Sequence, residues 1–489
     1  MSSPRALKAS LMPPARDHSA QGGRGVMWSR IGTRFLPFAD AASRELPLGR
    51  LLRLSLFQVS VGMAAVLLTG TLNRVMIVEL GMAASLVAAM VSLPLFFAPL
   101  RALIGFKSDT HRSVLGWRRV PFIWFGTLLQ FGGLALLPFA LLVMTGAGEG
   151  SALVGQIGAG LGFLLAGAGM HTTQTAGLAL ATDLATDETR PRVVALLYVM
   201  LLLGTMLSAV LIGGVLADFT PTKLVQVVQT AALVTMLLNI VALWKQEPRH
   251  RAMSTPSEPV VRFGERWSAF IARPRTLRLL VAIGLGAAAF SMQDVLLEPY
   301  GGQVLGLSVG ATTSLTALWA TGMLAGFAWS ARRLAQGADP HRLSGFGGVI
   351  GIAAFLCVMF AGPLQAPLLL RVGATFIGLG AGLFSVGTLT AAMAISDGSG
   401  SGLALGAWGA VQATAAGLAI LLGAFTRDAV TAAAVDGRLG ETLAAPATGF
   451  VAVYGAEILL LLAMLVVLGP LVRGYVKPTA RFGLSDFPI

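Results

Sequence analysis

The sequence predicts an all-α polytopic membrane protein of about twelve transmembrane helices, on three observations. The chain of 489 residues is 55% hydrophobic and only 12% charged, about half the charged share of roughly 25% that a soluble domain uses to cover itself. Its mean hydropathy is +0.78. Apolar runs recur along nearly its whole length, each near the roughly 20 residues that cross a hydrocarbon core.

Taken in order, the runs fall at 51–72, 82–100, 120–143, 153–182, 193–217, 223–244, 277–297, 310–331, 343–361, 368–395, 403–426 and 448–472. The 60 glycines suit such helices, because in lipid small residues let helix backbones approach closely. Residues 1–50 are basic and rich in Ser, Pro and Gly, without the apolar core of a cleavable signal. They read as a cytoplasmic tail, partly disordered through about Gly25, with 27–48 lying on the membrane surface. The single cysteine, Cys357, sits in an apolar run, so neither a disulfide framework nor a thiolate metal site is expected.

Charge sets the orientation. With the N-terminus inside, the inside segments hold all but five of the 35 Lys and Arg; Arg74, Lys223, Arg371, Arg427 and Arg438 fall outside. That bias predicts N-in, C-in and an even number of helices. It also explains the net charge of +13 through loops at an anionic leaflet, so membrane lipid rather than nucleic acid is the expected partner.

The longest internal polar stretch, 245–276, is proline-rich and basic and follows the sixth run. It separates a first half at 51–244 from a second at 277–472, followed by a tail at 473–489. The halves echo one another: LIGF at 103–106 is answered by LAGF at 324–327, and ATD at 181–183 by ISD at 395–397. Parallel duplicated halves of this kind characterise the major facilitator architecture. The loop after the second run strengthens the reading. Gly105, Asp109, Gly116, Arg118 and Arg119 resemble the facilitator signature between helices two and three, with extra residues between Asp109 and Gly116. Gly105 would permit a tight helix exit, Asp109 would cap a helix N-terminus, and Arg118 with Arg119 would anchor the third helix at the leaflet. In the second half Ser330 stands where the corresponding Asp would be. The fold class is therefore a major facilitator fold, 12 transmembrane helices in two six-helix halves.

Intramembrane charge is sparse: Arg53, Asp183, Glu298 and Arg371 lie near run ends, Asp294 follows Gln293 late in the seventh run, and Glu457 lies inside the twelfth. Of five histidines only His171 is within a run, roughly 18 Å from the cytoplasmic end at 1.5 Å per residue. Gly167 lies four residues earlier on the same face. A bare face beside a neutral imidazole suits a flat metal macrocycle whose magnesium the histidine ligates; it also suits a histidine bonded to a neighbouring helix in a glycine-rich seam. No nucleophile–base pairing, metal-ligand cluster or phosphate loop points to an enzyme.

Several strings resemble the PucC/LhaA family of photosynthetic bacteria, the bacteriochlorophyll delivery branch of the major facilitator superfamily. They are LLRLSLFQVSVGMAAVLLTGTLN at 51–73, GWRRVP at 116–121, HTTQTAGLALATDLA at 171–185 with RPRVV at 190–194, and MQDVLLEPYGG at 292–302. The likeness spans roughly 45–475 and leans to the LhaA-like side of the family. It implies a light-harvesting complex assembly factor, bacteriochlorophyll as cofactor, and antenna polypeptides as partners, the core antenna favoured. Under it, His171, Gly167 and Gln174 become candidate pigment contacts, and Gln293, Asp294, Glu298 and Tyr300 a candidate polar site for pigment or partner. The tail and the connector become candidate docking segments for a chlorophyll synthase or the insertion machinery. The alternative is a secondary transporter, proton-coupled through Asp294, of a small solute or tetrapyrrole.

Overall fold

The computed structural model describes residues 46–97, 117–144, 151–186, 189–247, 271–394, 401–445 and 447–473, all within one compact unit. The expectations placed on the N-terminal tail through residue 45, on Gly105, Asp109 and Gly116, on the connector at 248–270 and on the tail after 473 lie outside them.

The regular secondary structure among the described residues is all helical. α1 runs over Leu48–Glu79, with Val66–Thr71 and Val75–Glu79 wound as π-helix. α2 is Ala84–Ser92 continuing as 3-10 helix over Leu93–Phe97. There follow α3 (Val120–Met144), α4 (Ala152–Leu184), α5 (Arg190–Val215) and α6 (Pro221–Leu243). α7 is broken into Pro274–Ser291 and Leu297–Leu305; α8 (Val309–Ala335), α9 (Pro340–Ala361), α10 (Pro367–Ala394), α11 (Ser401–Val435) and α12 (Ala447–Arg473) complete the chain. Nine of these are long and apolar enough to cross a membrane unaided. The remaining three of the expected twelve are α2, described only in part, the interrupted α7, and α8, which carries Thr312, Thr313, Ser314, Thr316 and Thr321.

Local chemistry sets the helix starts. Ser151, Thr220 and Ser308 cap α4, α6 and α8 by accepting from the backbone N–H groups of Val154, Lys223 and Ala311, and proline opens α5, α6, α7 and α9, where its missing N–H costs no bond.

Helix packing repeats with a period of six. α1 packs on α5 and α6 as α7 packs on α11 and α12, while α3 packs on α4 and α6 as α9 packs on α10 and α12. The two halves meet through α5 on α8 and α2 on α11, which the same repeat relates. At the first of these seams Gly310 is required: a side chain there would run into the Gly213 carbonyl and the backbone of Ala217. Outward faces carry large apolar side chains such as Leu368, Phe425 and Val466, as lipid contact demands.

Three span boundaries differ from the sequence reading. α1 continues to Glu79 and α11 to Val435, so Arg74 and Arg427, expected in outside loops, are buried helix residues. The seventh run breaks at 292–296, and its second piece extends to Leu305.

Candidate functional site

The break in α7 gathers the buried polar residues that link the two halves. Around it the chain leaves the helix at Met292, re-enters at Leu297, and ends the second piece at Gly306 in the left-handed region, φ 64°. A backbone interrupted in this way is tolerated at membrane depth only where protein or a water-lined cavity surrounds it.

Gln293 is buried, donating from Nε2 to Asp294 Oδ1 at 3.0 Å while its Oε1 finds no partner. Asp294 is half-buried, and its carbonyl accepts from Asn73 Nδ2 at 3.5 Å. Glu298 lies at the seam between the halves: Oε1 accepts from Thr316 Oγ1 of α8 at 2.7 Å, while on α1 Arg74 supplies positive charge and Gly70 leaves the carboxylate its room. Tyr300 faces into the second half. Its hydroxyl accepts from the Gly362 N–H at 2.9 Å, and its ring meets Phe450 and Tyr454, each at 5.3 Å. These four residues, expected as one polar site, sit in and beside the α7 break, with Glu298 and Tyr300 meeting different partners.

What the sequence missed is the clamp around them. Arg74 is 3% exposed, pairs with Glu79, and donates from Nη2 to the Leu307 carbonyl at 3.0 Å. The Arg74–Glu79 spacing of five residues matches a π-turn, in which side chains five apart come into register. Gln303 donates to the Ile77 carbonyl at 3.3 Å and accepts from Arg427 Nη2. Arg427 also lies 4.7 Å over the Phe450 ring and donates to Asp428 at 2.8 Å. Asp428 caps α2 across the seam, accepting from Ser85 N at 2.7 Å and Ala84 N at 3.3 Å, where the helix dipole favours an anion. On α12, Glu457 is fully buried, with the Gln293 backbone N–H and Asp294 beside its carboxyl group, and Tyr454 is buried one turn before it.

His171, Gly167 and Gln174 belong to a different region, in the first half. Gln174 is buried and donates to Gln58 Oε1 at 3.5 Å, beside a Gln130 to Ser60 Oγ bond of 3.1 Å. His171 is half-buried, and its carbonyl accepts from Thr175 Oγ1 at 2.8 Å. Gly167 corrects the expectation of an open face: a side chain there would collide with the ring of Pro94 on α2. The bareness of α4 is used for helix packing, and a macrocycle lying flat over Gly167 does not fit this arrangement.

The facilitator-loop arginines are also placed differently. Arg119 is 5% exposed and donates from Nε to Asp183 at 3.0 Å, with Arg118 3.5 Å from the same oxygen. They join the start of α3 to the end of α4, so Arg119 is a buried tie between helices rather than a lipid anchor. Glu247 caps α3 by accepting from Arg118 N at 2.7 Å and Val120 N at 2.9 Å.

Similarity to known proteins agrees with this architecture. The solved structures it resembles include the bacterial homolog to the human lysosomal transporter Spinster, inward-facing and unoccupied (TM-score 0.66, 15% identity, 91% of this chain and 100% of that one). Another is the POT family transporter PepTSo (TM-score 0.62, 12% identity, 87% and 99%). These likenesses support the fold, a multi-pass major facilitator architecture. By sequence, the chain is 56% identical over 471 residues to an uncharacterized protein of the puhA-bchM intergenic region of Rhodobacter capsulatus, covering 94% of this chain and 98% of that one. It is 57% identical over 406 residues to Protein PucC of Rhodovulum sulfidophilum, covering 82% and 89%. A more distant relative, at 29% identity over 419 residues covering 84% and 92%, is the bacteriochlorophyll synthase 44.5 kDa chain of Rhodobacter capsulatus. The family described as PUCC protein matches residues 71–476, nearly the whole helical part, and the chain belongs to that family.

Proposed function

We propose that this protein is an assembly factor for photosynthetic light-harvesting antenna complexes, escorting bacteriochlorophyll to antenna polypeptides as they enter the membrane. The observation that carries the reading is its membership of the PUCC family over residues 71–476. Two features of the molecule support it. The buried charges Arg74, Glu298 and Arg427, with the half-buried Asp428, are engaged in holding helices together. The outward apolar faces suit clients that are themselves apolar: pigment tails and single antenna helices, which associate by close packing. A chlorophyll synthase and the insertion machinery are proposed as further partners.

Bacteriochlorophyll is proposed as the escorted pigment without a ligation geometry at His171, because Pro94 occupies the face over Gly167. The test is an absorption spectrum of the protein purified from its native membrane, with co-purifying polypeptides identified. Bound bacteriochlorophyll and antenna chains are expected; a colourless preparation together with normal antenna levels in a deletion strain would overturn the proposal. The same spectrum taken on His171→Leu is expected to keep its pigment, and loss would return the magnesium to His171.

A second reading, a secondary transporter, rests on half-buried Asp294 beside the fully buried Glu457, since intramembrane carboxyls commonly mark ion pathways. Substrate-dependent flux in proteoliposomes that Asp294→Asn abolishes would favour it.

A further inference from the structure

The cytoplasmic ends of α8, α9 and α12 enclose a cleft of 550 Å³ whose walls include Trp329, Arg333, Asp339, Arg342, Phe346 and Val472. Two antiparallel helices build it from matching columns. On α8, Trp329 and Arg333 are four residues apart and share a face; on α9, Arg342 and Phe346 do the same. Because α8 runs toward the cytoplasm and α9 away from it, each column sets its aromatic ring deeper and its arginine one turn shallower, about 6 Å nearer the cytoplasm.

At the floor, Trp329 and Phe346 meet edge to face with ring centroids 5.4 Å apart. At the rim, Arg333 and Arg342 are both exposed, Arg342 with 76% of its side chain accessible. Asp339, the acid of the cleft, is 9% exposed and already engaged: it accepts from His341 N at 2.9 Å and lies 4.0 Å from Arg342 Nε. The cleft therefore pairs a cationic rim with an aromatic floor, and Val472 continues the apolar wall on α12. A soluble anion would use only the rim. An amphiphile with an anionic head uses both levels.

We propose that this cleft is a binding site for one anionic phospholipid of the cytoplasmic leaflet. The phosphate sits between the guanidinium forks of Arg333 and Arg342, which suit phosphate oxygens, and an acyl chain lies over Trp329 and Phe346. Lysine would hold the phosphate less well, because it lacks the planar fork.

The experiment is native mass spectrometry of the full chain in mild detergent, titrated with phosphatidylglycerol, with phosphatidylcholine, and with phosphatidylglycerol in the presence of inorganic phosphate. The wild-type protein is expected to retain one phosphatidylglycerol in preference to phosphatidylcholine, with inorganic phosphate failing to displace it. Each arginine near an anionic headgroup is worth roughly fivefold in affinity, so R333A/R342A is expected to weaken retention by roughly thirtyfold, and R333K/R342K by less. Equal retention of the two lipids, displacement by inorganic phosphate, or undiminished retention in R333A/R342A would each overturn the proposal. Should the double variant fail to fold, Arg342→Gln alone, at a largely exposed side chain, carries the same comparison with an expected loss of roughly fivefold.

Discussion

At the extracytoplasmic end of the bundle, Arg74, Gln303 and Asp428 each reach from one six-helix half to a backbone group of the other. At the cytoplasmic end, four polar ties stay within a half. Arg50 bonds Gln246, Glu247 caps α3, Arg119 meets Asp183, and Trp408 donates to Thr388. The first set fastens the halves across the seam, and the second fastens helices along each half. Separation of the halves at the extracytoplasmic end would break several of these bonds together.

The largest expected effect comes from Arg74→Leu. It strips Glu298 and Glu79 of their cation and the Leu307 carbonyl of its donor, and breaking a buried pair costs about 3–5 kcal/mol. Thermal unfolding in detergent should show that loss; a shift no larger than that of a surface arginine would remove Arg74 from the clamp. Gly310→Leu forces α5 and α8 apart at the seam, with an expected cost of about 1–3 kcal/mol. Spin labels at Met82 and Arg438 should then report longer separations, and an unchanged distance distribution would mean that the seam yields elsewhere. Asp428→Ala removes the cap of α2 and should cost about 1 kcal/mol, widening the same distances to a smaller degree. Smallest is Arg118→Ala at the cytoplasmic end. Its pair with Asp183 is half-exposed on both sides, so it should cost less than about 1 kcal/mol and leave the Met82–Arg438 distances as they were.

The same contrast explains what could be read from the sequence. Helix number follows from run length, a local property, and it survives in the structure; the orientation is read from where Lys and Arg fall. The grouping of Gln293, Asp294, Glu298 and Tyr300 was legible because all four lie within one short string. The clamp was not, because its partners come from α1, α2, α7 and α11, and no local pattern pairs Asp428 with Ser85. Arg74 left a faint signal, an arginine at the end of an apolar run with an acid five residues on, but a five-residue spacing has meaning only once a π-turn is known. Gly167 misled for the opposite reason: a bare helix face looks the same in sequence whether a pigment or the Pro94 of a neighbouring helix covers it.

The cross-seam clamp also bears on how often the molecule visits other shapes. An intramolecular hydrogen bond contributes about 1 kcal/mol net, so the links made by Arg74, Gln303 and the two N–H groups on Asp428 together amount to about 4 kcal/mol. A form open at the extracytoplasmic end would then be populated by roughly one molecule in a thousand. A cargo entering from that side would have to prefer the open form by about the same factor merely to bring the two forms to parity. The arrangement of three side chains thus biases the bundle toward forms closed at the extracytoplasmic end.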